Sequence, residues 1–218
     1  MKGHLTNCSD ENGEAAHFGD ADGDRAPRSG KPAKSGTPYL ILVLLELMSL
    51  LFAGGKATGA EVSLSEYQVK ALFLVNFAKY VDWPATAFGG AASPIVIGVS
   101  GENNFGSHLE KAIEGKTVCG RAIRILTAEK DEDFAKCHML FVSASEKKHL
   151  GEILSKVKGL PVLTIGETEQ FLQQGGVINF TKKEGKVRLQ IDLEAARRAK
   201  LQLSSKLLSV ADSVTGKP

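Results

Sequence analysis

The chain has few of the residue patterns that mark catalytic or metal chemistry. It contains three cysteines and five histidines, and no pair of them has the spacing of zinc ligands. It also lacks a G-x-S-x-G sequence, so the usual nucleophile turn of a hydrolase is absent. The sequence therefore favours a function in binding or regulation over catalysis or metal chemistry.

Nucleotide-binding patterns are also missing. The segment 101–106 follows a predicted strand and has the glycine spacing of a phosphate loop, but Ser107 and His108 stand where Lys and Ser or Thr are required. There is no G-x-G-x-x-G sequence. The absence of the phosphate-binding lysine argues against nucleotide hydrolysis.

Charge is nearly balanced in the main part of the chain. Residues 61–218 carry 21 Lys and Arg against 18 Asp and Glu, and no block of five like charges occurs. Such a balance argues against nucleic acid or an anionic membrane surface as the partner.

The N-terminal region divides into two segments. Residues 1–38 are rich in Gly, Asp, Ser, Lys and Pro, which predicts a disordered leader. Residues 39–53 form an apolar run that contains Glu46, and small residues follow to Ala60. As a helix the run would be about 22 Å long, which is short for a bilayer and typical of a secretory signal.

Residues 39–60 are therefore predicted to be a signal peptide, and residues 61–218 an exported domain. The alternative is an uncleaved inner-membrane anchor, which leaves the main domain on the same side of the membrane.

The fold class predicted for residues 61–218 is α/β. Short apolar runs alternate with helical segments, which indicates a mostly parallel central sheet with helices on both faces. Segments 177–181 and 186–191 flank a polar loop with glycine, which predicts a C-terminal antiparallel hairpin. The predicted strands are 94–100, 122–127, 138–143 and 161–166, and the predicted helices are 65–81, 105–114, 129–136, 146–157, 168–174 and two after Asp192.

The first helix is apolar on more than one face. Phe73, Phe77 and Tyr80 recur at helical spacing and Trp83 follows, so these four aromatic residues are candidates for a homodimer or partner interface. The alternative is that a neighbouring helix of the same chain covers them.

Candidate ligand- or partner-binding residues lie in two places. Arg188 is predicted on the polar face of the hairpin, where its guanidinium could hold an anion, with Asn179 on the partner strand. Gly101 and Asn104 lie in the loop after the first long strand, at the edge of the sheet where ligands commonly bind. For Arg188 the alternative is an ordinary surface ion pair.

Two cysteines fall in the predicted domain, Cys119 and Cys137. They either form one disulfide in an oxidising compartment or remain two separate thiols, and spacing does not decide between these.

Seven pieces of the sequence, taken in order, carry a resemblance to a known family: residues 67–84, 94–101, 118–121, 137–141, 175–180, 187–192 and 204–208. With these pieces the chain resembles the YfiR family of bacterial periplasmic proteins over essentially residues 65–213. The chain departs from the family in two ways. Asp192 stands where the family usually has Asn, and only Cys137 matches the position of a family cysteine.

This resemblance implies a dimeric, non-enzymatic periplasmic regulator without a cofactor. Its implied partner is the periplasmic sensor region of a membrane-bound diguanylate cyclase or sensor kinase, which it would bind and inhibit. Control of cyclic di-GMP and of biofilm formation would follow. The alternative function is a periplasmic small-molecule sensing or binding domain, and a hydrolase with an unrecognised site is a third.

The first testable prediction concerns export. We expect the native protein to be translocated and cut near Ala60, because a short apolar run followed by small residues is a signal-peptidase substrate. N-terminal sequencing of the protein purified from its own cells checks this. A full-length cytoplasmic product beginning at Met1 would contradict it.

Overall fold

The fold begins with a helix whose start is fixed by side-chain caps. In the computed structural model, which describes residues 64–216, helix α1 covers Glu66–Tyr80. The backbone N–H of Gln68 donates to the Ser65 hydroxyl at 3.3 Å, and the backbone N–H of Ser65 donates to the Gln68 side chain at 2.6 Å. This capping box satisfies two backbone donors that a helix start otherwise leaves unpaired, and it confirms the helix predicted over 65–81. The predicted leader and signal peptide, residues 1–60, lie outside the described residues.

Strands and short helices alternate after α1. The remaining α-helices within residues 64–216 are α2 His108–Ile113, α3 Asp131–Phe134, α4 Leu150–Lys156, α5 Leu193–Arg198 and α6 Ser205–Ser209. The strands are β1 Val81–Asp82, β2 Ile95–Ser100, β3 Thr117–Val118, β4 Arg121–Thr127, β5 Met139–Val142, β6 Leu163–Gly166, β7 Ile178–Lys183, β8 Lys186–Asp192, β9 Gln202–Leu203 and β10 Ser213–Thr215.

Eight of these strands form one sheet in the order β10-β8-β7-β6-β5-β2-β4-β3. The five central strands, from β7 to β4, run parallel to one another. Strands β1 and β9 pair separately as a small antiparallel ribbon. The predicted mostly parallel α/β sheet is confirmed.

The hairpin predicted near the C-terminal end is confirmed as β7 and β8. Lys183 pairs with Lys186, so the loop consists of Glu184 and Gly185 alone. Both residues have positive φ, 52° and 74°. Two consecutive positive φ values fit a type I′ turn, whose twist matches that of the flanking strands.

Apolar layers cover both faces of the sheet, as predicted. On one face α1, α2 and the C-terminal helices pack on the strands, and on the other face α3 and α4 do. The first layer contains Leu74, Phe77, Leu109, Phe141, Phe180 and Leu207, and the second contains Phe134, Leu140, Leu150, Ile153, Leu154 and Phe171.

The helices after the hairpin have the predicted caps. The Asp192 carboxylate accepts from the backbone N–H groups of Glu194 at 2.8 Å and Ala195 at 3.0 Å. Ser204 accepts from the N–H of Leu207 at 3.3 Å. Asp192 therefore performs a capping role that Asn would also perform, so this departure from the family pattern leaves the local fold intact.

Two of the predicted helices are not formed as predicted. The helix predicted over 146–157 is split into a 3-10 turn, Ala144–Glu146, and α4. The segment 168–174 forms turns without an α-helix. Phe171 is fully buried there against Gly166 and Gly176, where an added Cβ would lie 2.1 Å from its ring. Packing this ring onto two glycines overrides the helical tendency of the segment.

A buried histidine joins the amino ends of β2 and β5. The Nδ1 atom of His138 accepts from the backbone N–H of Val96 at 3.1 Å, so Nε2 carries the proton and donates to the Ala87 carbonyl at 3.1 Å. The ring stacks on Phe88 at 4.6 Å, and the Arg121 guanidinium lies 3.9 Å from the Phe88 ring centroid. Burial lowers the pKa of His138. The hydrogen bond to Ala87 raises this pKa and the charge of Arg121 lowers it, and the net shift is downward.

The second prediction is that stability depends on His138 under mildly acidic conditions. The unfolded chain binds a proton near the ordinary pKa of about 6.5, whereas the folded chain keeps the imidazole neutral at that pH. The stabilising contribution is therefore complete above about pH 6.5 and is lost as the pH falls below it. Urea denaturation at a series of pH values should show the free energy of unfolding rising with pH across this range.

His138→Asn keeps an acceptor near Nδ1 and removes the titration, so the rise should shrink in this variant. His108→Asn is the matched control and should retain it. An equal rise in wild type and His138→Asn would contradict the assignment.

Candidate functional site

Three loops meet at the carboxyl edge of the parallel strands. The loop after β2 carries Asn104, the loop after β5 carries Ala144, and Glu167 directly follows β6. This edge is where ligands bind in open α/β sheets. The first turns of α1 also lie at this edge, next to the carboxyl ends of the strands.

A buried ion pair connects α1 to this edge. Lys70 Nζ lies 2.7 Å from Glu167 Oε2 and 2.6 Å from Glu66 Oε1. The Lys70 and Glu167 side chains are only 5% and 6% exposed, so their charges are almost completely removed from water. Buried charges of this kind are tolerated only when they are paired and hydrogen-bonded.

Neighbouring groups complete the hydrogen bonding of Glu167. Its Oε1 accepts from the backbone N–H of Ala144 at 2.9 Å, and the Tyr67 hydroxyl lies 3.2 Å from both carboxylate oxygens. Asn104 Nδ2 donates to the Tyr67 hydroxyl at 3.3 Å. Lys182 Nζ joins the set through Glu66 Oε2, at 3.2 Å. We call this set the Lys70 network, and its side chains are Glu66, Tyr67, Lys70, Asn104, Glu167 and Lys182.

The pKa values of the network reflect this pairing. Burial opposes the charge of Lys70, but its hydrogen bonds to Glu167 and Glu66 outweigh burial and raise the Lys70 pKa. The bond from Lys70 lowers the pKa of Glu66. Burial, reinforced by the charge of Glu167, raises the pKa of Tyr67. These directions hold Lys70 and Glu66 in their charged forms and Tyr67 as a neutral hydrogen-bond donor at neutral pH.

A cavity of about 530 Å³ lies beside the Lys70 network. Two of the residues that line it, Asn179 and Thr168, each have one fully buried side-chain oxygen, Oδ1 and Oγ1, that makes no hydrogen bond. Such an atom costs about 1–3 kcal/mol when left unpaired. We call this space the Asn179 cavity, and its wall includes Glu66, Tyr67, Lys70, Thr168, Asn179 and Phe180.

A second cavity, of about 600 Å³, lies where the strand order reverses between β2 and β5. Its wall is acidic, although Lys156 pairs with Asp131 and His149 lies 3.2 Å from Glu146. We call it the acidic cleft. The residues that line it include Gly101, Glu102, Glu129, Asp131, Glu146 and Glu152.

Gly101 and Asn104 were predicted together but lie in different places. Gly101 lines the acidic cleft with φ at 84°, and an added Cβ would lie 2.4 Å from the Ser145 hydroxyl. The backbone N–H of Glu102 donates to that hydroxyl at 3.0 Å. Gly101 thus allows the β2 and β5 loops to touch, whereas Asn104 belongs to the Lys70 network.

Arg188 and Asn179 do not form one site. Arg188 is exposed and faces Thr181 across the hairpin, whereas Asn179 pairs with Gln190 and is 1% exposed. Within residues 64–216, Arg188 makes no ion pair or side-chain hydrogen bond. The structure therefore does not show the alternative, a surface ion pair of Arg188, and the Arg188 guanidinium is accessible.

The aromatic candidates on α1 are only partly available for an interface. Phe77 and Trp83 are 0% and 3% exposed, because residues of the same chain bury them. The prediction that these two residues contact a partner is therefore wrong. Phe77 stacks with Phe180 of β7 at 5.9 Å. Phe73 and Tyr80 are half-buried, and the expected homodimer stays a prediction.

A Cys119–Cys137 bridge is not formed. Cys137 is a free, buried thiol that donates to the Asp133 carbonyl at 3.2 Å. It lies against Gly98, where an added Cβ would be 2.3 Å from its sulfur, and Cys119 occupies the exposed turn between β3 and β4. Burial, reinforced by Asp133, raises the pKa of Cys137 to about 11, so this thiol stays protonated and unreactive at neutral pH.

Two further properties of residues 64–216 bear on function. They contain no group of three or more His, Cys, Asp and Glu side chains positioned for a metal ion. None of their helices combines the length and apolar character needed to cross a membrane.

Sequence reasoning missed Lys70 and Glu167. One signal was present: Lys70 is a charged residue flanked by Val69 and Ala71 in a helix that is otherwise apolar nearly all round. Its partner follows a strand 97 residues later, and no local pattern connects the two.

Comparison with known proteins gives a family match. The YfiR/HmsC-like (DUF4154) family model matches residues 67–212, which is more than half of the chain. No curated protein matches the chain.

Nine solved chains match. One is a conserved domain protein from Vibrio cholerae O1 biovar El Tor, with 12% identity and a TM-score of 0.47, covering 70% of this chain and 61% of that one. The other is the ABC domain in complex with L-Trp from Streptococcus pneumoniae, with 11% identity and a TM-score of 0.41, covering 56% and 55%. The chain thus spans about three fifths of the length of the Vibrio protein.

The third prediction concerns the Lys70 network. Lys70→Met leaves the Glu167 carboxylate buried without its cation and should lower the free energy of unfolding by about 3–5 kcal/mol. The double variant Lys70→Met/Glu167→Gln should recover a large part of that loss. Guanidinium denaturation at neutral pH measures both.

Lys79→Met, on the exposed side of the same helix, is the control and should change stability by within about 0.5 kcal/mol. Because its pKa is raised, Lys70 contributes stability that is complete below about pH 10.4 and is lost as the pH rises through the raised pKa. A Lys70→Met protein as stable as wild type would show that the pair does not anchor α1.

Proposed function

Because the chain belongs to the YfiR/HmsC-like family, whose members are non-catalytic periplasmic regulators of cyclic di-GMP signalling, we propose that it inhibits an inner-membrane signalling protein. It does so by binding the periplasmic sensor region of a diguanylate cyclase or a sensor kinase. The observation that carries the proposal is the family match across residues 67–212, which covers nearly all of the described fold.

Inhibition by contact requires no catalytic group in this chain. While bound, the protein holds the sensor region in its inactive arrangement. Release allows the cytoplasmic output domain to act, which raises cyclic di-GMP and favours biofilm formation. Export across the inner membrane, predicted from residues 39–60, is a condition of this mechanism.

The β7–β8 hairpin is the surface best suited to an acidic partner segment. Lys182 and Lys183 form ion pairs with Glu66 at 3.2 Å and Asp212 at 3.9 Å. Arg188 keeps its guanidinium accessible on a strand whose opposite face, Leu189 and Ile191, is fixed in the core. A guanidinium held on a rigid element suits recognition of a carboxylate, because little side-chain freedom is lost on binding.

The direct test is capture of the partner. The exported protein, tagged at its C-terminus, is used as bait on detergent-solubilised membranes from its own cells. We expect mass spectrometry to identify an integral membrane protein with a periplasmic region and a cytoplasmic cyclase or kinase domain. Recovery of soluble periplasmic proteins alone would contradict the proposal.

The fourth prediction assigns the hairpin to this contact. Arg188→Ala should leave folding almost unchanged, because exposed substitutions usually cost within about 0.5 kcal/mol. It should weaken binding to the captured partner by about 1.5–3 kcal/mol, the value of a charged hydrogen bond. Calorimetric titration against the partner's purified periplasmic region measures this loss.

Arg124→Ala provides the matched control. Arg124 is also an exposed arginine on a strand, but its strand, β4, lies near the opposite edge of the sheet from β8. Its substitution should leave the affinity unchanged. Equal affinities of wild type and the Arg188→Ala protein would show that Arg188 takes no part in partner binding.

A further inference from the structure

We propose that the acidic cleft binds a linear aliphatic amine with two or more ammonium groups, of the diamine or polyamine class. The cleft lies where the strand order reverses between β2 and β5, so it is separate from the hairpin surface assigned to the partner. A ligand site here goes beyond the proposed regulatory contact. Three features of the cleft wall support this ligand: an unpartnered hydroxyl, two unpaired carboxylates and an apolar floor.

The first feature is the hydroxyl of Ser100, the last residue of β2. Ser100 is only 4% exposed and lines the cleft, yet its hydroxyl makes no hydrogen bond to any residue that the structure describes. Buried polar groups are almost always hydrogen-bonded. The Thr168 hydroxyl is also unpaired, but its oxygen is fully buried, whereas that of Ser100 is not. The Ser100 hydroxyl is therefore available to a molecule in the cleft.

The direction of the Ser100 side chain agrees with this. Side chains alternate along a strand, so Gly98 and Ser100 share one face of β2. An added Cβ on Gly98 would lie 3.2 Å from Leu140, which belongs to the apolar layer beneath α3 and α4. Ser100 therefore points to the side of the sheet on which Phe134 and Ile153 of that layer line the cleft.

The second feature is the excess of negative charge. Five carboxylates line the cleft, against one lysine and one histidine. Lys156 is already held by Asp131 and lies 3.7 Å from the Glu152 carboxylate. Among residues 64–216, Glu102 and Glu129 make no ion pair. A cleft lined by one sign of charge attracts ligands of the opposite sign, so this one favours a cation.

The third feature selects the kind of cation. Ala128, Phe134 and Ile153 are 1%, 5% and 6% exposed and form an apolar floor, which suits a chain of methylene groups. The described residues hold no three side chains positioned for a metal ion. The unpaired carboxylates, Glu102 and Glu129, follow different strands, β2 and β4, so a ligand with more than one cationic group suits them.

Hydrogen-bond chemistry and size fit the same ligand. Ammonium groups only donate hydrogen bonds, whereas carboxylates only accept them and the Ser100 oxygen can accept one. The cleft volume of about 600 Å³ lies within the usual range for small-molecule pockets. A diamine or polyamine therefore satisfies the hydroxyl, the carboxylates and the apolar floor together.

The test uses the exported protein and a defined set of probes. Putrescine and spermidine are the polyamine probes, butylamine carries a single charge, butanediol is the uncharged analogue of putrescine, and calcium chloride supplies a metal ion. Calorimetric titration at low ionic strength and thermal unfolding are measured for wild type, Ser100→Ala and the double variant Glu102→Gln/Glu129→Gln.

Matched controls change the same residue types outside the cleft. They are Ser213→Ala, on β10, and the double variant Glu110→Gln/Glu114→Gln, in and after α2 on the other face of the sheet. All three residues are exposed and none lines the cleft. The double control removes as much negative charge as the double cleft variant does.

We expect putrescine or spermidine to bind wild type and both controls with similar affinity. The affinity should fall at least about tenfold in Glu102→Gln/Glu129→Gln, and about tenfold in Ser100→Ala, since each loses bonds to a charged group. Added sodium chloride should weaken binding, because salt screens exposed charges. Without ligand, both cleft variants should keep the thermal stability of wild type, because the altered side chains are unpaired. Lost binding with retained stability is specific to a ligand-binding role.

Four results would overturn the proposal. The first is that neither polyamine binds wild type. The second is polyamine binding of equal strength in wild type and in either cleft variant. The third is binding of butylamine or butanediol as tight as that of putrescine, which would contradict a ligand with two charges. The fourth is tighter binding of calcium than of either polyamine, lost in the double cleft variant, which would make the cleft a metal site.

Discussion

The buried Lys70–Glu167 pair is the interaction on which the carboxyl edge of this fold depends. Glu167 receives hydrogen bonds from Lys70 and Tyr67 of α1 and from the backbone of Ala144 in the β5 loop. One carboxylate therefore fixes a helix and two loops relative to one another. Because an unpaired charge at this depth is strongly unfavourable, the three elements hold their positions together.

This arrangement separates two surfaces with different chemistry. The β7–β8 hairpin directs an accessible guanidinium outward, while the core behind it is closed by Leu189 and Ile191. The Asn179 cavity is lined in part by β7 of the same hairpin and lies next to the Lys70 network.

Much of this architecture follows from local patterns in the sequence. Continuous apolar runs identified the parallel strands, and Ser65, Asp192 and Ser204 identified helix starts through short-range capping. Long-range packing was inaccessible to this reasoning. The sequence does not show that Phe180 covers Phe77, that Phe171 lies on two glycines, or that Lys70 meets a carboxylate 97 residues away. Asn179 was expected on the surface beside Arg188 but is buried, because strand alternation indicates on which face a side chain lies and not what covers that face.

The central claim is that this protein restrains cyclic di-GMP signalling from the periplasm. The most direct measurement is the cyclic di-GMP content of cells that lack the gene, compared with cells that carry it and with cells complemented by the full chain. The account predicts a higher content in the deletion strain and return to the parental level on complementation. An unchanged content in the deletion strain, under conditions in which the parent produces the protein, would contradict it.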